Sequence, residues 1–261
     1  MKAREIIESL ERFAPTSLQE PYDNTGIQIG DTETDIKGIL ISLDVTEEIL
    51  DEAIGKGCNM IVTHHPLLFR GLKQIAGKDY VQRTVAQAIK NDIVIYSAHT
   101  NLDKCADGVS WKTAELLGLE NVSVLVPEGD GNENAGLGCV GELPAEIDDT
   151  EALLLVKKAF NAGCVRHTAI TGRMVRRIAV CGGSGSEFID DAIRAQADIY
   201  VTADVKYHEF LRAENKMIIA DIGHFESERA TKDVFYAQIS KLFPKFAVRI
   251  SECEHNVIGY M

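Results

Sequence analysis

The feature that most limits what this chain can become is a pattern that occurs twice, 139 residues apart and without a gap. Residues 41–63 lie over residues 180–202, with Glu48/Glu187, Asp51/Asp190, Ala53/Ala192, Ile54/Ile193, Val62/Val201 and Thr63/Thr202 identical. Ile49/Phe188, Leu50/Ile189 and Met60/Ile199 keep apolar character. Each copy reads as an apolar strand, a turn, a helix and a second apolar strand, and strands that alternate with helices build a parallel sheet. Any two such units look somewhat alike, but equal spacing through loop, helix and strand favours a duplicated domain. The expectation is an α/β fold of two similar, interlinked domains. The first would comprise residues 1–126 with about 229–261, and the second residues 127–228.

Local signals fill in this outline. Ile6, Ile7, Leu10 and Phe13 share one face of an opening helix that Pro15 ends. Residues 21–30 read as a turn-rich loop. Thr46 is placed to cap a helix over 47–56, and Gly57 to close it. A helix over 79–91 and a strand over 93–96 follow. Pro127, the glycines from Gly129 to Gly141 and Pro144 make 127–150 read as a loop joining the domains.

Charge narrows the partners. With 27 basic and 40 acidic side chains the net charge is −13, and residues 127–156 hold acidic groups but no Lys or Arg. Such acidity argues against coating nucleic acid or an anionic membrane, although a single nucleotide is not excluded. No apolar run approaches the roughly 18–20 residues of a membrane span. The opening MKAREIIESL is an amphipathic helix and not a signal peptide, so the expected location is the cytoplasm. The scattered cysteines, without C-x-x-C, read as reduced thiols that act as small buried hydrophobes.

Chemistry concentrates at three junctions. His64 and His65 are adjacent at the carboxyl end of a strand, where open α/β sheets bind ligands. They could serve two ions, or one as a ligand and one in support. Asp103 follows His99 by four residues, and a carboxylate complements imidazole as a ligand. Asp107 competes with it on spacing alone. If a helix starts at His224, then His224 and Glu228 share a face and Glu226 points elsewhere. Together these residues suit a centre in which two ions activate water and clamp an electrophile. His99 and His208 are candidates for moving protons, and Lys206, Arg70 and Lys73 for meeting an anionic group. The Gly182–Gly185 loop could hold an anion on free N–H groups or serve as a tight turn. H-E-x-x-H, the phosphate-binding G-x-x-x-x-G-K-[ST] and G-x-S-x-G are all absent.

Tyr22-Asp23-Asn24-Thr25-Gly26, Ser42-Leu43-Asp44-Val45-Thr46, Thr63-His64-His65-Pro66, His99-Thr100-Asn101-Leu102-Asp103, Gly182-Gly183-Ser184-Gly185 and Gly223-His224-Phe225-Glu226-Ser227-Glu228 occur in that order. On these blocks the chain resembles the GTP cyclohydrolase 1 type 2 homologues, the Nif-three-like dinuclear-metal proteins. The resemblance spans nearly the whole chain. It implies two similar α/β domains with a dinuclear site between them, and a toroidal homohexamer. It also implies two divalent ions per chain (Zn, Fe, Mn, Ni or Mg, which mixed N/O ligands do not distinguish). The implied ligands are His64, His65, Asp103, His224 and a bridging Glu228, which prefers Asp103 to Asp107 and Glu228 to Glu226. The implied activity is hydrolysis of a nucleotide-like anionic substrate, such as opening of the GTP ring. The rivals are a non-catalytic hexameric metal-binding, regulatory or interaction protein, and a phosphoesterase on the same centre. Tyr22 stands where the family usually has Trp and Ile27 where it has Leu, and His255-Asn256-Val257 lacks the usual proline. None of these departures touches an implied ligand.

Overall fold

The computed structural model describes residues 1–129 and 132–261. Asp130 and Gly131, part of the stretch read as a joining loop, lie outside the described residues. The chain opens with α1 (Ala3–Phe13), β1 (Gly26–Ile29), β2 (Ile39–Ser42), α2 (Glu47–Gly55), β3 (Met60–Thr63), α3 (Tyr80–Lys90) and β4 (Val94–Ser97). It continues through α4 (Thr100–Lys104), α5 (Val109–Leu117), β5 (Glu120–Glu128), β6 (Asn132–Asp148), α6 (Asp149–Ala159), β7 (Arg166–His167) and β8 (Met174–Ser184). Last come α7 (Ile189–Arg194), β9 (Ile199–Ala203), β10 (Ile218–Asp221), α8 (His224–Glu228), α9 (Thr231–Leu242) and β11 (Val248–Ile250). The chain divides into two compact units, one of Met1–Leu102 with Thr231–His255 and the other of Asp103–Ala230 with Asn256–Met261.

Unit 1 carries a sheet of order β1-β4-β3-β2-β11, in which β11, β2, β3 and β4 run parallel and β1 is antiparallel at the edge. Strands β2, β3 and β4 are buried along their whole length, as runs without polar alternation require. Leu40, Ile61 and Ile95 of the sheet pack with Ile49, Leu50 and Ala53 of α2 and with Val85 of α3. Each such side chain contributes about 1.5–3 kcal/mol on burial. The N-cap at Thr46 is as expected, since its hydroxyl accepts from the Ile49 N–H at 3.3 Å. Within 21–30 the expected loop instead ends in strand β1. A four-residue edge strand is too short to show a period in sequence, and Gly26 and Gly30 bound it.

Unit 2 carries a sheet of order β5-β6-β8-β9-β10-β7, parallel through β8, β9 and β10 and antiparallel elsewhere. Alternate residues face opposite sides. Ile178, Val180, Ile199 and Val201 pack with Ala152, Val156 and Phe160. Ala179, Tyr200 and Ile219 pack with Ile189 and Ala192 on the other face. Pairing repeats at the spacing seen in the sequence, because Ile39 faces Met60 in unit 1 and Ile178 faces Ile199 in unit 2, both pairs shifted by 139.

The stretch 127–150 is largely strand, not loop. Its glycines mark close backbone approach in the β5–β6 hairpin. Gly136 has φ +152°, and a Cβ there would lie 2.1 Å from the Val126 carbonyl oxygen. Pro144, which lacks an N–H, falls where the β6–β8 register breaks between Glu142 and Ile147. Four cysteines are buried free thiols, and burial pushes the Cys139 thiol up to about 12. Among the described residues no helix is long and apolar enough to cross a membrane.

Candidate metal centre

In unit 1 the parallel strands bring three imidazoles to one end of the sheet. The ladder runs past β3, with the His64 N–H donating to the Ser42 carbonyl at 3.3 Å and the His65 N–H to the Leu43 carbonyl at 2.8 Å. On the next strand the Ala98 N–H donates to the Thr63 carbonyl at 3.0 Å. Adjacent backbones are thereby fixed at the residues that carry His64, His65 and His99. One ring nitrogen of each lies within 4.8 Å of the others'. The ring centroids are 5.1 Å apart for His64–His65 and His64–His99, and 5.6 Å for His65–His99.

Each ring is held from behind through Nδ1. For the fully buried His64, Nδ1 lies 3.0 Å from the Ala98 carbonyl oxygen. A carbonyl only accepts, so Nδ1 carries the hydrogen and Nε2 is the basic nitrogen. His65 Nδ1 lies 2.9 Å from Asp44 Oδ1, and His99 Nδ1 lies 2.8 Å from Asp23 Oδ1. Asp44 is placed by Glu254, whose Oε1 accepts from the N–H groups of Leu43 at 2.7 Å and Asp44 at 3.0 Å. Burial pushes the Asp23 carboxyl up. Hydrogen bonds from His99, Thr100 and the Asn24 N–H, with the His99 charge, outweigh burial and hold it well below the usual carboxylate range. Imidazoles that present Nε2 while a carboxylate or carbonyl takes Nδ1–H are the usual setting of metal-binding histidines.

Unit 2 repeats this chemistry at the start of α8. His224 Nδ1 lies 2.7 Å from Asp204 Oδ2, and His224 Nε2 lies 3.0 Å from Glu228 Oε2. The helix makes the pair i and i+4, as the spacing required. Glu228 is buried and His224 is one-third exposed. Glu226, buried, accepts at Oε1 from the Asn256 amide at 2.9 Å. The chain thus offers two groups of side chains with the donors a divalent ion takes, His64/His65/His99 and His224/Glu228.

The glycine loop serves this second group. Gly183 has φ +63°, and a Cβ there would sit 2.3 Å from Glu228 Oε1. Its N–H donates to Ser227 Oγ at 2.9 Å and that of Gly185 to Thr202 Oγ1 at 3.1 Å, so these two donors do not wait for an anion. Asp103 lies half-buried on α4, one turn beyond His99, while Asp107 is exposed with φ 59°. His208 is exposed in the 3-10 segment Tyr207–Ala213 with its ring against that of Tyr207. Lys206, Arg70 and Lys73 are exposed.

Sequence reasoning missed the three carboxylates behind the imidazoles. Asp23, Asp44 and Asp204 each follow a turn or strand end, and Asp204 holds φ 54°, uncommon outside glycine. That alignment of an acid with each strand-end histidine was the available signal.

The family model described as Duf34/NIF3 (NGG1p interacting factor 3) matches residues 1–257. A Clostridium acetobutylicum protein named GTP cyclohydrolase 1 type 2 homolog is 36% identical, the match covering 100% of this chain and 98% of that protein. A Drosophila melanogaster NIF3-like protein 1 is 31% identical over 98% of this chain and 88% of its own length. Among solved structures, a Bacillus cereus protein related to NIF3 superposes with TM-score 0.94 at 27% identity, covering 100% and 99% of the two chains. A hypothetical protein of Staphylococcus aureus gives 0.92 at 26%, with the same coverage.

Proposed function

Because this chain belongs to the Duf34/NIF3 family, we propose that it is a metal-dependent hydrolase of a nucleotide-like substrate. It would hold two divalent ions on His64, His65, Asp103, His224 and Glu228, with Glu228 as the bridge. The observation that carries this reading is the backing of His65, His99 and His224 by Asp44, Asp23 and Asp204, with His64 set by the Ala98 carbonyl. A structural histidine needs no such uniform orientation of Nε2.

The ions would supply Lewis acidity and an acidified water. The chain supplies direction. His64 and His65 present Nε2 from a rigid strand end, and Glu228 offers a buried carboxylate. His99 pairs Nδ1 with the ionised Asp23, which stabilises a proton taken up at Nε2, the arrangement of a general base. His208, exposed and adaptable, remains the second proton carrier proposed. Arg70, Lys73 and Lys206 would meet the charged part of the substrate from the surface. A homohexamer in the cytoplasm and descent of the two units from one duplicated ancestor complete the proposal. The shared pairing register supports the latter.

The test is to count ions per chain by mass spectrometry and to follow nucleotide turnover under several divalent ions. Turnover lost in His65→Ala, with folding retained, is expected. Full occupancy without turnover on any nucleotide or phosphoester would refute the enzyme. It would favour the reading suggested by the family's description as an interacting factor, a metal-binding interaction protein.

A further inference from the structure

Unit 1 contains a cavity of about 730 Å³ between β1, the segment 68–75 and α3, within the roughly 300–1,000 Å³ of small-molecule sites. We infer that this cavity binds an uncharged, flat ring of the substrate whose reacting group lies at His64, His65 and His99. The inference rests on the reading of those histidines as the place of reaction.

Three observations join the cavity to the histidines. Its outer wall is built by the segment that leaves the sheet directly after His65-Pro66. Phe69, on that segment, meets the His99 ring edge-on, with centroids 6.3 Å apart and planes at 84°. Asn24, which also lines the cavity, follows the Asp23 that holds His99.

The lining decides the ligand's chemistry. It includes Leu68, Phe69, Leu72 and Ile89, and no charged side chain is among it. Phe69 and Ile89 line it while remaining 45% and 55% exposed, so the fold leaves apolar surface uncovered there. The polar lining is already committed. The Asn24 amide donates to the Leu68 carbonyl at 2.8 Å, the Leu68 N–H to Gln28 Oε1 at 3.1 Å, and the Gln28 amide to the Asn24 carbonyl at 2.7 Å. This closed ring pins the wall in place before any ligand arrives, which lowers the ordering cost of binding. A phosphate here would lose its water and gain no cation, whereas a flat ring would gain the face of Phe69. Arg70 and Lys73 belong to the same loop but do not line the cavity. A nucleotide would therefore place its base inside and its phosphates outside.

Calorimetric titration of the metal-counted protein with guanosine, uridine and their 5′-monophosphates tests this. Nucleosides should bind, and the monophosphates should depend on the same lining even where Arg70 or Lys73 adds to their affinity. Phe69→Ala should weaken nucleoside binding about tenfold, and Leu72→Glu should abolish it. No nucleoside binding by folded, metal-loaded protein would overturn the inference. So would monophosphate binding that is tighter and indifferent to Phe69→Ala, or a Leu72→Glu variant that changes the number of chains per particle and not the binding. Ring binding retained by a protein that holds no ions would strike the metal reading alone.

Discussion

Gly183→Ala alters no proposed ligand and yet should disable one. The added methyl would stand 2.3 Å from Glu228 Oε1, 3.3 Å from its Cδ and 3.5 Å from His224 Cε1. A C···O contact requires about 3.3 Å, so the carboxylate must retreat by about 1 Å. Metal–ligand distances are held to within about 0.2 Å. A buried Glu228 displaced that far no longer reaches the same position. Removing an orienting partner costs about 10–100-fold in metal affinity, and displacing the ligand itself should cost at least as much. The penalty to folding is smaller, about 1–2 kcal/mol for an alanine held in the left-handed region, because the atom that must move is the end of a flexible side chain. Gly182→Ala is the control. Its nearest neighbours would be Ser227 O at 3.3 Å and Glu228 Cγ at 3.4 Å, and its φ is not left-handed. Chelator competition measures affinity, and urea unfolding of metal-free protein measures stability. A folded Gly183→Ala protein with wild-type affinity would refute the reasoning, as would an equal loss in Gly182→Ala.

The remaining expectations are simpler to state. Asp44→Asn leaves the ring of His65 without its carboxylate and should lower metal affinity about 10–100-fold in a chelator competition, whereas Asp23→Asn, behind the proton-carrying His99, should lower turnover and leave that affinity near wild type. Chelation should lower the unfolding midpoint in urea, since ions at 1,000 times their dissociation constant stabilise the native state by about 4 kcal/mol; an unchanged midpoint would argue against ions bound to the native fold. Burial raises the Glu52 carboxyl, but hydrogen bonds from Cys253, Lys56, Ser251 and the Glu252 N–H outweigh it and hold it well below its ordinary range. Its folded pKa is depressed, so its stabilisation is present above the unfolded glutamate range and is lost as pH falls from about 5. Urea midpoints of Glu52→Gln should therefore fall less between pH 7 and pH 4 than those of wild type.

What the sequence made legible was local or periodic. Thr46 capped α2 because a cap and the N–H it accepts from lie three residues apart, and His224 and Glu228 met because one helical turn joins them. The place of His64 and His65 at a strand end was legible from the apolar run that precedes them. The partners of those imidazoles were not. Asp44 reaches His65 across 21 residues and Asp23 reaches His99 across 76, distances over which only the folded sheet brings groups together. The glycines of β6 misled for a related reason. Glycine marks close backbone approach as well as turns, and only the facing strand tells the two apart. Gly183 carried the same ambiguity, and the carboxylate that resolves it lies 45 residues away.

The division of the chain also sets an order in time. Synthesis completes Met1–Leu102 and then makes all of Asp103–Ala230 before α9 and β11 can emerge. Throughout that interval β2 has an unpaired edge, open to wrong strands until Val248–Ile250 close it. The carboxylate of Glu254, which fixes Asp44 and through it the ring of His65, emerges later still. A nascent chain thus carries its first histidines long before they are aimed, and the backing of the His65 ring is complete only once Glu254 has been made.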